Sequence, residues 1–557
     1  MSATLVKRRA RKAESLVCCE SGTAVERLER ALEALRREVS ELRCDVGYWK
    51  SRHADAVVRN ERLTEELEEA RGEIRVLQDK LFGRKSEKSR SGDRSNDLFD
   101  PEQTTAAAKK RGAQPGHEGH ERRDYSHLPV HEEFVPLPDA SLDCPHCGKP
   151  AVMISATEDS EVLEIEVKAH RRRLRRRRYR ASCDCDPTRR TLTAPPPPKL
   201  IPKGNYGISI WVHVLLDKYS SYRPTQRLLG QLRQYDLDLA AGTVNEGLRR
   251  IEPMLTPIYE ALCQRNREGE IHQGDETRWL VFAHLDGKQG HRWWLWVILG
   301  ADTVVYLLDR SRSHDVPEAH FGPAASGTLE VDRYSGYKAM AQVKLGLMVL
   351  AFCWAHVRRD FVEVGKSWPE LESWALAWLR RIREIYQVNR LRLEHRPASA
   401  KFRKQDALLR QAMETMRSTA VEELSQPRFR EPCRRALASL QEHWTGLTRF
   451  VEDPRIPLDN NASERAARGP AVARKNFYGS GALWSGRLAA MMFSLVATLR
   501  HWKLNPQRWL TAYFEHCAVA GGKTPDDIQP FLPWNLSAER KAAFAASPHG
   551  ASRTDSS

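Results

Sequence analysis

From Val25 to Leu81 the apolar positions advance in alternating steps of three and four. The seam runs Val25, Leu28, Leu32, Leu35, Val39, Leu42, Val46, Trp49, His53, Ala56, Asn60, Leu63, Leu67, Ala70, Ile74, Leu77 and Leu81. With Val25 at a, the a positions favour Val, Leu and Ile while the d positions are mostly Leu, the heptad pattern of a coiled coil. Asn60 falls at an a position, where a buried amide favours a parallel, in-register dimer. The competing reading is a long helix packed on its own chain.

Further on the texture changes twice. Residues 206–262 read as all-helical, with Pro224 near the first turn of a second helix and Thr243 as N-cap of a third; this spacing is compatible with a helix-turn-helix or with an ordinary helical bundle. From residue 270, "IHQGDETRWLVFAHLD", "HRWWLWVIL", "TVVYLLDR", "GTLEVDRYSGY" and "LMVLAFCWAHVRRDF" are short runs rich in Val, Trp, Tyr and Ile. They predict about five strands, the last passing into a helix at His356. Charged helices follow over 369–450, then a helix start at "DNNASERAARGP" and a closing helix "LWSGRLAAMMFSLVATLRHW". The fold class predicted is multidomain α+β.

Two polar or proline-rich stretches divide the chain. Residues 84–130 are charged and rich in Gly and Ser, a flexible basic linker, and "APPPP" within 194–205 is a stiff spacer. The expected organisation is a basic tail (1–20), coiled coil (21–83), linker (84–130), zinc-finger-like module (131–193), proline-rich linker (194–205) and helical region (206–265). A first core part (266–368), helical insertion (369–455), second core part (456–515) and C-terminal tail (516–557) complete it.

Composition narrows the partner. The 557 residues carry a formal net charge of +16, which favours a polyanion such as nucleic acid. The basic N-terminus lacks the apolar stretch of a signal peptide, and the longest apolar run, near 345–355, is too short to cross a bilayer. Eleven cysteines, among them a C-x-x-C and a C-x-C pair, fit reduced thiols in a cytoplasmic protein.

Those two pairs are the zinc candidates. Cys144 and Cys147 form C-P-H-C-G, and Cys183 and Cys185 follow; four thiolates can close a structural zinc shell, against the alternative of two unrelated pairs. Just before the second pair, "HRRRLRRRRYR" contains Arg171, Arg172, Arg173, Arg175, Arg176, Arg177 and Arg178. On a strand these guanidinium groups would suit phosphate oxygens; otherwise they form a solvated face.

The carboxylates carry the second candidate chemistry. Asp275 lies on the first predicted strand, Asp332 at the end of the fourth and Glu464 at the start of a later helix. Acids converging on one sheet edge repel one another, and divalent cations remove that penalty. Two magnesium ions on such oxygens can drive phosphodiester chemistry without a protein nucleophile. Each acid also has a plainer role: a turn former after a strand for Asp275 and Asp332, and a capping box of Asn461 with Glu464. Arg468 and Lys475 return to the helical face of Glu464, so metal and phosphate could share it.

At these residues the chain resembles the DDE transposases of the insertion sequence 66 (IS66) family. The matching stretches are "LFGRKSEK" (81–88), "GAQPGHEGH" (112–120), the C-P-H-C-G knuckle, "GDETRW" (274–279), "VDRYSGY" (331–337), "CWAHVRRDF" (353–361) and "DNNASERAARGPAVARKNFYGSG" (459–481), in that order. The resemblance implies an RNase H-like catalytic core using two magnesium or manganese ions, with Asp275, Asp332 and Glu464 as the acidic triad and a helical insertion before the third. It further implies multimerisation through the coiled coil, and binding of terminal inverted repeats by the zinc-finger-like and helical modules. It also implies 3′-end cleavage followed by strand transfer to target DNA, possible accessory proteins of the same element, and a nucleoid-associated location. Cys353 and His356 match a C-x-x-H signature beside the active site, implying ordering or DNA contact; a buried strand cysteine and a helix-start histidine are the plainer reading. The C-x-C pair departs from the usual C-x-x-C of a zinc shell. Two rival functions are a non-catalytic zinc-containing DNA-binding regulator and a nuclease that hydrolyses without joining strands.

Overall fold

The computed structural model describes residues 24–82, 130–132, 149, 160, 162, 167–180, 191–283 and 290–546. The chain divides into two compact units, one of Met1–Phe99 with Val362–Ala377 and the other of Asp100–Phe361 with Trp378–Ser557. Cys144, Cys147, Cys183 and Cys185 and the linker 84–123 lie outside the described residues.

The first unit is built on α1 (Ala24–Phe82), one unbroken helix of 59 residues. Its heptad seam is exposed along its length: Leu28 is 69%, Trp49 63% and Leu77 59% accessible. Near its end Gly72 lies against the Trp368 indole, and a Cβ added there would fall 2.0 Å from the ring. Arg75 donates to the Ser367 carbonyl, and Val76 is buried. None of these three positions belongs to the seam, so this packing leaves the a and d residues uncovered.

In the second unit, β1 (Arg178–Arg180) pairs antiparallel with β2 (Thr191–Thr193). The arginine run is therefore a strand only at its end. Residues 171–177 are exposed and lie outside any described strand, and Arg176 Nη1 donates to the Ala194 carbonyl at 2.9 Å.

Three helices follow, α2 (Ile208–Tyr219), α3 (Thr225–Arg233) and α4 (Ala241–Arg267). Pro224 is the N-cap of α3. The start of α4 falls earlier than Thr243 predicts, since Ala240 is the N-cap and Thr243 lies in the first turn. The sheet comprises β3 (Ile271–Leu280), β4 (Arg292–Leu299), β5 (Val304–Asp309), β6 (Gly327–Val331) and β7 (Met348–Phe352), in the spatial order β5-β4-β3-β6-β7. The β3–β4 and β4–β5 pairs are antiparallel, and the β3–β6 and β6–β7 pairs are parallel. These are the five predicted strands. The helix after β7, α5 (Trp354–Ser367), begins two residues before His356.

Beyond α5 come α6 (Glu372–Leu393), α7 (Ala400–Leu424) and α8 (Glu431–Glu442), and then α9 (Asn461–Phe477), α10 (Leu483–His501) and α11 (Pro506–Val519). Both sheet faces are covered, which explains why β4 reads as a continuous apolar run rather than an alternating one. Leu295 and Val297 join a core with α2, α4, α10 and α11, whereas Trp296 and Ile298 join a smaller core with Phe321, Tyr337 and Met340. At the open edge of β5, the Val304 and Tyr306 amides donate to Thr498 Oγ1 (3.0 Å) and Ser494 Oγ (2.8 Å) of α10, which satisfies groups a bare edge would expose.

Packing crosses two of the expected boundaries. In residues 206–265, Trp211, Leu215, Leu248, Ile251 and Leu255 share the larger core with the sheet. Amphipathic helices bury an apolar face wherever a sheet offers one. Residues beyond 516, expected as a tail, pack in the same way. Phe531, Leu532, Leu536 and Phe544 are buried in the same core, and the Trp509 indole donates to the Phe531 carbonyl at 2.9 Å. Short proline-broken apolar stretches have no period to betray them.

The helical block is pinned by a buried cation. Arg392, on α6, pairs with Asp406 of α7 at 2.7 Å and donates to the Phe450 (3.0 Å) and Val451 (2.7 Å) carbonyls. Arg392→Ala strands these partners and should destabilise the protein by about 3–5 kcal/mol in chemical denaturation; a change near zero would show the pin to be dispensable.

Candidate active site

Three segments bring acids toward the middle of the sheet, where β3 is the central strand and β6 its neighbour. Asp275 lies in mid-β3 directly opposite Val297 of β4, so it shares the face of the larger core. Asp332 follows the last residue of β6, and Glu464 sits in the first turn of α9. Gln273, two residues before Asp275 and so on its face, donates to the buried Glu330 of β6 at 2.6 Å.

Helix α9 is fastened to β3 at both ends. At its start, Gln273 Nε2 donates to the Asp459 carbonyl (3.0 Å), Asn460 Nδ2 to the Gly274 carbonyl (2.7 Å), and the Asn460 amide to Cys353 Sγ (3.2 Å). At its end, Tyr478 turns the chain at φ 64° and Gly479 follows at φ 144°. A Cβ on Gly479 would meet the Leu280 carbonyl at 2.2 Å, so only glycine lets the backbones approach. Ser480 then donates to Leu280 and accepts from Phe282, both at 2.8 Å. Arg474 adds a further tie by donating to the Arg278 carbonyl.

The electrostatics follow from this placement. Burial pushes the Asp275 carboxyl up to about 7, and the Glu276, Glu464 and Asp332 charges push the same way, against a hydrogen bond from the Glu276 amide. Glu276 points to the opposite face, beside Trp296. Its carboxylate accepts from Arg312 Nε (2.8 Å) and the Tyr337 hydroxyl (2.7 Å), while burial raises its pKa. Arg312 in turn lies between the Trp294 and Tyr334 rings, 4.9 and 3.9 Å from their centroids. Burial also pushes Glu330 up to about 8. Sequence reasoning missed both Glu276 and Glu330. The signal for Glu276 is two successive acids on one apolar strand, which necessarily address both faces.

Glu464 does not close a capping box. The N-cap is Asn460, one residue earlier than expected, and it makes no side-chain cap bond. The Glu464 carboxylate turns instead to Arg359 Nη2 (3.1 Å) and His356 Nε2 (3.7 Å). Cys353 is fully buried, which pushes its thiol up to about 12, and burial lowers the His356 pKa. Cys353, His356 and Glu464 each offer a ligand atom, all within 4.8 Å of one another. Among the described residues the three acids alone form no cluster that tight. Asp332 is flanked by an anchor: Arg333 donates to Asp360 (2.6 Å) and to Ser439 of the helical block (2.8 Å). Arg468 and Lys475 are exposed on α9.

This sheet, with acids on its central strand, after the neighbouring strand and on a late helix, is accompanied by sequence similarity to transposases. A sequence profile described as "Transposase IS66 family" matches residues 203–488, which include all three acids. The chain belongs to the IS66 transposase family. It is 29% identical over 366 residues to uncharacterized protein y4jD of Sinorhizobium fredii, a match covering 63% of this chain and 70% of that protein. Uncharacterized proteins y4hP and y4qI of the same organism are 24% and 26% identical, and the matches span 65% and 64% of their lengths. Among solved structures, the Mos1 mariner paired end complex with Mn aligns over 46% of this chain and 81% of its own at 16% identity. Its TM-score of 0.12 is too low to bear on the fold. No described helix is long and apolar enough to cross a membrane.

The Asp275 shift has a testable consequence. A raised carboxyl pKa favours the folded state at low pH, and that contribution is lost as pH rises from the ordinary value of 3.8 toward about 7. In chelator, Asp275→Asn should therefore be more stable than the parent above pH 7, by up to about 4 kcal/mol. The gap should shrink as pH falls toward about 4 in thermal or denaturant unfolding. A pH-independent gap would contradict the buried, charge-crowded placement.

Proposed function

We propose that the protein is the transposase of an insertion sequence, cleaving the 3′ ends of its element and joining them to target DNA, with Asp275, Asp332 and Glu464 as the catalytic acids. The observation that carries this reading is the convergence of three acids from distant segments, close enough for Glu464 and Asp332 to raise the Asp275 pKa. Family membership supports it, as does a strand order with three antiparallel strands followed by two parallel ones, which is that of an RNase H-like core.

The donor set fits hard divalent cations, since all three side chains offer oxygens and a desolvated carboxylate among like charges calls for positive charge. Two magnesium or manganese ions there would supply activation of a water or 3′-hydroxyl and stabilisation of the leaving oxygen. The chain itself supplies position. Its two-ended attachment to β3 holds α9, so Glu464 stays in register with Asp275. Arg312 and Tyr337 hold Glu276 away on the opposite face, and Arg333 fixes the turn after Asp332. Arg468 and Lys475, exposed along α9, would meet a phosphate backbone, as would the exposed arginines of 171–178. In this reading Cys144, Cys147, Cys183 and Cys185 hold a structural zinc, and that module and the helices of 208–267 contact the terminal repeats. Accessory proteins of the same element are further candidate partners, in a cytoplasmic, nucleoid-associated setting.

Asp275→Asn, Asp332→Asn and Glu464→Gln should each lower magnesium-dependent cleavage of labelled element ends by at least about a hundredfold, with end binding nearly unchanged in gel shift. A variant that still cleaves removes its residue from the triad, and products cut but never joined would favour a plain nuclease.

The exposed seam of α1 is proposed to pair two chains in parallel through Asn60. Leu35→Glu combined with Leu42→Glu should convert the dimer to monomer in sedimentation, while an unchanged mass would place the interface elsewhere.

A further inference from the structure

We propose that Cys353, His356 and Glu464 form a second metal site, selective for thiophilic divalent cations such as zinc, that takes Glu464 from the catalytic set. The inference rests on the transposase reading only in calling Glu464 catalytic; the site itself stands on geometry. One sulfur, one imidazole nitrogen and one carboxylate oxygen lie within 4.8 Å of one another, with His356 Nε2 3.7 Å from the Glu464 carboxylate. Three mixed donors of this kind, with water in a fourth position, suit tetrahedral zinc or cobalt. Magnesium, which avoids sulfur, is a poor match.

The three donors come from anchored backbone rather than from loops. Cys353 directly follows β7, and its amide bonds to the Val331 carbonyl at 3.2 Å. His356 lies in the first turn of α5, so the C-x-x-H spacing bends across a strand-to-helix junction. Glu464 faces them from α9, whose start is tied to the Cys353 sulfur itself by the Asn460 amide at 3.2 Å. Entry is open on the side of His356 and Glu464, whose side chains are 25% and 21% exposed. Positive charge already resides there, because the Arg359 guanidinium lies 3.1 Å from Glu464, and a bound cation would take over its role beside that carboxylate. Binding would release the thiol proton to solvent and leave a thiolate–metal bond.

The functional consequence is competition. A carboxylate bound beside a thiolate and an imidazole is withdrawn from Asp275 and Asp332, so a thiophilic ion acts as an inhibitory occupant rather than a substitute for magnesium.

The test uses the full chain, stripped with chelator under reducing, anaerobic conditions and titrated with cobalt. The tetrahedral absorption, the cobalt–thiolate band and the bound equivalents are recorded for the parent, Cys353→Ser, His356→Asn and Glu464→Gln, each checked for native circular dichroism. Any metal on the paired cysteines is common to all four proteins and cancels in the difference. The expected result is one equivalent fewer in each folded variant, with the thiolate band reduced in Cys353→Ser. Equal stoichiometry in parent and folded variants overturns the site. The assay reads no DNA chemistry: a cobalt difference in a protein that never cleaves overturns the transposition reading alone, and cleavage without a cobalt difference overturns this inference alone.

Discussion

Carboxylates crowded into a partly desolvated strip of sheet repel one another, and the core of this protein is arranged around that cost. Asp275 bears it most directly, with a carboxyl held near neutrality by burial and by three neighbouring acids. Three of the acids nearby have side-chain partners: Glu276 has Arg312 and Tyr337, Glu330 has Gln273, and Glu464 has Arg359. Asp275 and Asp332 instead accept local backbone bonds, from the Glu276 and Tyr334 amides, and a carboxylate desolvated without a cationic partner is costly to ionise.

This distribution of partners also separates roles that look alike in one dimension. Asp275 and Glu276 are adjacent, yet the pleat sends one toward α9 and the other into a cage of aromatic rings and a guanidinium. Similarly, Glu330 and Asp332 are two residues apart, but Glu330 lies wholly inside while Asp332 sits beyond the strand end, where Arg333 tethers its turn to the helical block.

Much of this was legible in the sequence. The strands announced themselves through β-branched and aromatic runs between Gly and Asp, and the helix of 24–82 through its seam. Asp275 stood out as an acid within an apolar strand, and Asp332 and Glu464 as acids at a strand end and a helix start. What periodicity could not convey was tertiary accounting. Asn461 and Glu464 have capping-box spacing, yet the N-cap is Asn460, whose side chain is drawn to the Gly274 carbonyl, and Glu464 turns to Arg359, so no capping box forms. The helices of 208–267 carry apolar faces that fit either a free bundle or a sheet cover, and only the fold decides. The segment around Phe531 packs through isolated aromatics between prolines, a signal with no repeat. Glu330 was invisible because a lone acid in an apolar strand gives no hint of its glutamine partner 57 residues away.

The two-ended attachment of α9 to β3 has a consequence for how such a chain can vary. Strand and helix behave as one rigid bracket, so the span from first to third acid is set by a few backbone and amide bonds near Gly274 and Leu280. The long helical excursion between Asp332 and that bracket enters and leaves without defining the span. Changes of length within it, away from the ties at Arg392 and Ser439, would leave that span unaltered, as in an accessory hung between two fixed posts.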